Sequence, residues 1–382
     1  MLKTLKLYTR KFRRSLQHYW LAGWHRFTQY WHAAWWHKAI VILCAFVCLC
    51  VGTMYGIARW YIWQQSSTPL TLGVTFIPDY AESLGLNPKT TMDALIHNLG
   101  VRQFRLTSYW SDIEPTKGIY NFSTLDWEFA QADAAHTTVS LSIGLRQPRW
   151  PECHMPSWAA NEPESEWYPQ LVGFMQAVVQ RYKNNPALQS YQLENEYFLS
   201  SFGQCTNDSR ARLVTEFNLI KKLDPTHPII MSRSNNYGGI ALGQPRPDEY
   251  GISVYRRVWM PVLHRYVEYP FPAWYYAFLA GAQELVTGKD SILHELQAEP
   301  WAPQRLAIPQ TSLSVQNESM SPQRLTQTIA FGEATGMRTI DLWGAEYWYY
   351  RMVKLHDPSL WNIAKHAFQQ AQAQDVTLSK SK

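Results

Sequence analysis

Acidic residues are absent from the first 38 positions, where Lys3, Lys6, Arg10, Lys11, Arg13, Arg14, Arg26 and Lys38 place eight positive charges. The formal net charge of +5 is therefore an end effect. Of 35 basic residues, 27 remain for the rest of the chain against 30 acidic ones, a net of −3. The body has no basic face to follow a nucleic-acid backbone, which argues against a nucleic-acid partner. Cysteine is scarce, with 5 in the chain. Cys44, Cys48 and Cys50 lie in an apolar run, where they count as small apolar residues. No Cys-x-x-Cys pair or His/Cys cluster offers a structural metal site. The body contains no sequence repeat and no low-complexity block.

Charge is also missing from Ala39 to Ala58, a run rich in Val, Ile, Leu, Cys and Phe. Its length matches a helix crossing a bilayer. Trp35, Trp36, Trp60, Tyr61 and Trp63 flank it as an aromatic belt, and the basic excess before it places that side in the cytoplasm. A cleaved signal peptide has a shorter core and a small-x-small site. Here Arg59-Trp60-Tyr61-Ile62-Trp63 follows instead. The expectation is a single-pass anchor with the body outside the cell membrane. It divides the chain into a basic segment over 1–38, an anchor over 39–58, a linker over 59–70, a barrel over 71–375 and a polar tail over 376–382. Within the basic segment, Trp20, Trp24, Phe27, Trp31 and Trp35 share one helical face, which could lie in the membrane interface. His18, His25 and His32 recur every seven residues and read as solvated or interfacial histidines.

What is present in the body is an alternation of short apolar runs and helical stretches. Strands are predicted at 72–76, 103–106, 138–143, 190–193, 228–231, 251–254, 291–294 and 338–342. Helices are predicted at about 91–99, 123–135, 164–182, 208–223, 273–286, 322–335 and 359–373. This order predicts an α/β fold with a parallel sheet, and eight such units predict a closed (β/α)₈ TIM barrel. The charge-free stretch 270–283 reads as a barrel helix after an insertion, with a dip into the outer leaflet as the alternative. Aromatic residues make up 14% of the chain, which suits stacking platforms for sugar rings.

Barrel chemistry sits at the C-terminal ends of the strands. The fourth strand leads into Glu194-Asn195-Glu196, and the seventh stops at Glu295 in SILHELQAEPW. Two carboxyl groups flanking one bond are what glycoside hydrolysis needs. Glu194 reads as a further inward acid paired with Arg105 or Arg146. Glu299 is a rival nucleophile, four residues beyond the strand end. Cys153 follows the third strand and Cys205 the fourth, and loops after consecutive strands are neighbours, so a disulfide between them is expected outside the cell.

The segment FRLTSYWSDIEPTKGIYNFSTLDW, with Arg105, Trp110, Ile113-Glu114-Pro115, Lys117-Gly118, Tyr120-x-Phe122 and Leu125-Asp126, resembles clan A glycoside hydrolases. These are retaining (β/α)₈ enzymes that include β-galactosidases, cellulases, mannanases and xylanases. Asn195-Glu196, Glu295 and Leu342-Trp343-Gly344 carry the same resemblance, which covers Leu72 to Ala373. It implies Glu196 as general acid/base and Glu295 as nucleophile. It further implies Arg105 beneath Glu295, Tyr255 donating to Glu295, Asn195 on the sugar 2-hydroxyl and Trp343 under the sugar ring. Glu346 and Trp110 are additional candidates for sugar contact. The third-strand end GLRQPRWPECH and the fifth-strand end SRSNN supply no matching hydroxyl-binding residue. The expected activity is retaining hydrolysis of a β-glycoside through a covalent glycosyl-enzyme, with a carbohydrate substrate, no cofactor and no metal. Oligomeric state stays open. Two alternatives remain: a sugar-binding scaffold without activity, and a transglycosylase using the same residues.

Overall fold

The computed structural model describes residues 19–199, 202–205, 209–234 and 241–380. His18, Asn235 and Asn236 lie outside them. The chain divides into two units, Met1–Gly56 and Ile57–Lys382. In the first, helix α1 covers residues 19–33. Trp20, Trp24, Phe27 and Trp31 stack in sequence along it, with ring centroids 5.8, 5.7 and 6.0 Å apart. Four-, three- and four-residue steps return side chains to one face of a 3.6-residue helix, as the spacing predicts.

Helix α2, Trp35–Gln65, is long and apolar enough to cross a membrane. It starts before the expected run and continues through residues 59–65, which were expected as linker. Within the second unit the reason is plain. Tyr61 is fully buried, its hydroxyl donates to Asp290 Oδ1 at 2.7 Å, and Gln65 donates to Asp290 Oδ2 at 2.9 Å. Arg338 Nε donates to the Gln65 carbonyl at 2.8 Å. Gly281 admits this contact, because a Cβ there would lie 2.9 Å from Tyr61 Cβ.

The barrel is closed and its strands run parallel, in the order β1-β10-β9-β6-β5-β4-β3-β2. The strands are β1 Thr71–Thr75, β2 Gln103–Thr107, β3 Thr138–Ile143, β4 Leu188–Leu193, β5 Ile229–Ser234, β6 Glu249–Val254, β9 Ser291–Gln297 and β10 Thr339–Trp343. A hairpin, β7 Arg257–Met260 and β8 Arg265–Glu268, is inserted after β6. The helices are α3 Pro78–Ser83, α4 Pro88–Ala94, α5 Trp110–Ile113, α6 Ser123–Ala134, α7 Glu164–Tyr182, α8 Arg210–Leu223, α9 Ala273–Thr287, α10 Leu313–Ser319, α11 Pro322–Ala334, α12 Ala345–Lys354 and α13 Ser359–Lys380. The charge-free stretch becomes α9, which buries Tyr276, Ala277 and Leu279 through Gln283. The last helix runs past the expected boundary into the segment expected as tail.

Two irregularities position the site. The register of β9 slips between Leu293 and Glu295 against β6, and between Leu293 and Leu296 against β10. A bulge of this kind inserts a residue and re-aims its neighbours. Leu293 and Leu296 consequently both face Gly332 of α11. His294 and Glu295 then both point into the barrel, where strict alternation admits one of them. His294 forms a buried pair with Asp341 at 2.7 Å, and Gln103 donates to the other Asp341 oxygen at 2.8 Å. The second irregularity is the loop pair after β3 and β4. Arg149, Glu152, Glu194 and Glu196 all have left-handed backbones there, with φ of 80, 72, 53 and 43°. Side chains rarely accept that region unless surrounding contacts hold them in it.

Candidate active site

Arg105 is fully buried and its fork organises the cup at the C-terminal ends of the strands. Nη1 donates to Glu295 Oε1 at 2.6 Å and to the His294 carbonyl at 3.2 Å. Nη2 donates to Asn195 Oδ1 at 2.9 Å, and Nε donates to Gln192 Oε1 at 2.6 Å. Tyr255 donates to the second Glu295 oxygen at 2.8 Å. A carboxylate with both oxygens occupied by donors is held in one orientation.

Glu196 is the opposite case. It is 7% exposed, and its Oε1 has no hydrogen-bond partner. Burial pushes its carboxyl up to about 8, with the charges of Glu295 and Glu152 adding to the rise. Two carboxyls thus share one cup, one clamped by donors and one driven toward its protonated form. An acid whose surroundings favour its protonated form is suited to act as a proton donor.

The loop after β3 supplies Glu152, which the sequence alone did not single out. Asn195 Nδ2 donates to Glu152 Oε2 at 2.9 Å, and Arg146 lies 3.8 Å from the same oxygen. Burial raises the Glu152 carboxyl to about 7; Arg146 opposes the rise and Glu295 adds to it. The disulfide expected between Cys153 and Cys205 is present, with Cα atoms 5.2 Å apart. It joins this loop to the one after β4 at the residue next to Glu152. Gln204 N–H donating to the Pro151 carbonyl at 2.9 Å joins the same two loops. The signal for Glu152 was its neighbour Cys153, whose partner follows the strand that ends near Glu196.

Several expectations are corrected. Glu194 does not pair with Arg105. Its oxygens accept the backbone N–H groups of Leu145 and Arg146 at 2.8 and 2.7 Å, and its ion pair is with Arg212 of α8 at 3.3 Å. The left-handed turn at Glu194 breaks the strand alternation, and Gly144 makes room, since a Cβ there would lie 2.5 Å from Glu194 Oε1. Trp110 is a core residue. It is fully buried against Trp158 and Phe174, and its indole N–H donates to Glu114 Oε2 at 2.6 Å, so no ring face is open to a sugar.

Glu299 lies beyond the longer β9 strand and accepts from the Trp343 indole N–H at 2.8 Å and from Arg149 at 3.1 Å. These donors hold it away from the Arg105 clamp. Arg149 also sits over the rings of Tyr80 and Trp343, 3.3 and 4.6 Å from their centroids, and so covers one face of Trp343. Glu346 is buried, accepts the Ile77 N–H at 2.6 Å, and is raised to about 7 by burial against the opposing charge of Arg149. An aromatic rim runs from Trp150 through Phe202 to Trp301 and Tyr255, with centroids 5.8, 6.2 and 5.5 Å apart. Among the described residues, no group of three or more His, Cys, Asp or Glu side chains is arranged to hold a metal ion.

No protein-family model and no curated protein matches the chain. Solved structures do. An exo-β-1,4-mannosidase from Opitutaceae bacterium strain TAV5 superposes with a TM-score of 0.53, at 13% identity over 80% of this chain and 60% of that one. A β-galactosidase from Rahnella sp. R3 does so with a TM-score of 0.51, at 12% identity over 80% and 56%. A GH5_18 protein from Streptomyces cattleya in complex with GlcNAc gives 0.50, at 11% identity over 72% and 70%. The likeness is one of fold. This chain spans about three fifths of the mannosidase and slightly less of the β-galactosidase.

Proposed function

We propose that the protein is a retaining β-glycosidase, held to the membrane by α2 with its barrel outside the cell. One observation carries the reading: Glu295 is clamped by Arg105 and Tyr255 while Glu196, in the same cup, is buried with an unpartnered oxygen and raised to about 8. Glu295 attacks the anomeric carbon, and the glycosidic bond breaks as Glu196 gives its proton to the leaving oxygen. Water then attacks the covalent glycosyl-enzyme, and Glu196 takes a proton from it. Arg105 and Tyr255 hold the nucleophile and receive it again as the leaving group of the second step. Asn195 has Oδ1 occupied by Arg105, and its Nδ2 retains a second hydrogen for a sugar 2-hydroxyl. The solved structures of like fold include an exo-β-1,4-mannosidase and a β-galactosidase, which is consistent with this class of substrate.

The test is incubation of the full-length protein with 2-fluoro-glycosyl inactivators of several sugars, followed by peptide mass spectrometry. The expected result is a single label on Glu295, with turnover of the matching aryl β-glycoside. A label on Glu299, or neither label nor turnover across the panel, overturns the assignment.

A further inference from the structure

Arg149 crosses the mouth of the barrel beside the catalytic pair. In the closed strand order, β3 and β9 are four places apart in either direction, so they face each other across the barrel. Arg149 follows β3, and its Nη2 donates to Glu299, beyond the end of β9, at 3.1 Å. On the way the guanidinium lies 3.3 Å from the ring centroid of Tyr80, after β1, and 4.6 Å from that of Trp343, at the end of β10. The bar is tied at its other end too. The Arg149 carbonyl accepts from Glu152 N–H at 2.8 Å and lies 3.1 Å from His154 Nε2, and the disulfide at Cys153 fixes the residue between them.

The strand order also gives the direction in which a substrate lies. Glu196 follows β4, and β10 is the strand directly opposite β4. A proton donor stands on the leaving-group side of the bond that breaks. The ring attacked by Glu295 therefore extends away from Glu196, toward β10, and its far edge meets Arg149, Trp343 and Glu299. A further sugar on that edge needs the space that Arg149 fills. Hydrogen bonding points the same way. Glu299 Oε1 is occupied by Trp343 and Arg149, while Oε2 has no hydrogen-bond partner. A free hydroxyl can donate to a carboxylate oxygen, whereas an oxygen already in a glycosidic bond has no proton to give.

We propose that Arg149 closes the cup to a single sugar ring, so that the enzyme works from the non-reducing end and removes one sugar at a time. This rests on the glycosidase reading above. The experiment is incubation of the full-length protein in detergent with the p-nitrophenyl β-glycosides of glucose, galactose and mannose and with those of cellobiose, lactose and mannobiose. Initial products are read by mass spectrometry. The unmodified protein should release nitrophenol from the matching monosaccharide and take only the terminal sugar from a disaccharide. Free disaccharide should form at least roughly 100-fold more slowly, the scale on which a misplaced reacting centre loses rate. Arg149→Ala, shown to be folded by its thermal melt, should raise release of free disaccharide roughly tenfold or more. Free disaccharide as the first product of the unmodified protein overturns the proposal and leaves the glycosidase reading standing, and this outcome needs no variant. A folded Arg149→Ala that still yields none overturns the role given to Arg149. No turnover of any glycoside overturns the glycosidase reading itself, and the proposal falls with it.

Discussion

Glu196 and Glu295 are the same residue type in opposite surroundings, and the difference predicts how each should respond to change. Glu196 must carry a proton to act as an acid, and burial keeps that proton on until pH rises through about 8. Activity should therefore fall through that range as pH rises, and Glu196→Gln should remove this limb from the pH profile. The same variant should slow substrates with poor leaving groups by about 10²–10⁴-fold, while the first step with activated aryl glycosides is nearly spared. Measuring kcat/KM for both substrate classes between pH 5 and 10, as the range that brackets the shift, checks both statements. Glu152 acts on the same proton from a distance. Its negative charge helps to raise Glu196. Glu152→Gln should hence move the alkaline limb to lower pH, and an unmoved limb would show that Glu152 only holds Asn195.

At the scale of elements, the loops after β3 and β4 behave as one piece. Arg146 Nε donates to the Asn195 carbonyl at 2.6 Å, and Asn195 N–H returns a bond to the Arg146 carbonyl at 2.7 Å. The Cys153–Cys205 bond closes this pair over a sequence separation of 52. A loop of that length is worth up to about 4 kcal/mol through the unfolded state. Replacing both cysteines by serine should lower the thermal midpoint and should also raise KM, because the loop carrying Glu152 loses its tether. Denaturation and steady-state kinetics on the double variant check the two effects separately. The resemblance segment after β2 has a different job. Glu114 accepts from Gly118 N–H and the Trp110 indole at 2.6 Å each, and Asp126 binds Arg181 and Tyr182 of α7. Those motif residues build scaffold rather than the cup.

For the whole molecule, residues 57–65 belong to the barrel's fold as much as to α2. Tyr61 is fully buried and bonded to Asp290, and Ala58 is fully buried as well. A chain beginning at residue 66 loses this packing, whereas one beginning at residue 57 keeps it. Loss of a buried aromatic typically costs about 3–5 kcal/mol. The shorter chain should unfold at clearly lower denaturant concentration, and equal midpoints for the two chains would show that residues 57–65 contribute nothing to the barrel.

The order of elements and most strand ends were legible in the sequence, because they follow from run length, apolar patterning and turn residues within a few positions of one another. Glu196, Glu295 and the disulfide pair were legible as positions for a related reason: a barrel delivers every strand end to one face, so knowing the strands places their ends. The resemblance also placed Arg105 and Tyr255 on Glu295, where the structure has them; most other contacts of the site were decided by the tertiary structure alone. The bulge at His294 turns two successive side chains inward, and it exists only in the pairing of β9 with β6 and β10. The left-handed turn at Glu194 sends that acid to the backbone of the β3 loop and to Arg212, a partner on a separate helix. Arg149 and Glu152 enter the site through a loop whose backbone is held by contacts from the next loop. Such conformations are unfavourable locally and are stabilised by partners remote in sequence, so local patterning carries no trace of them.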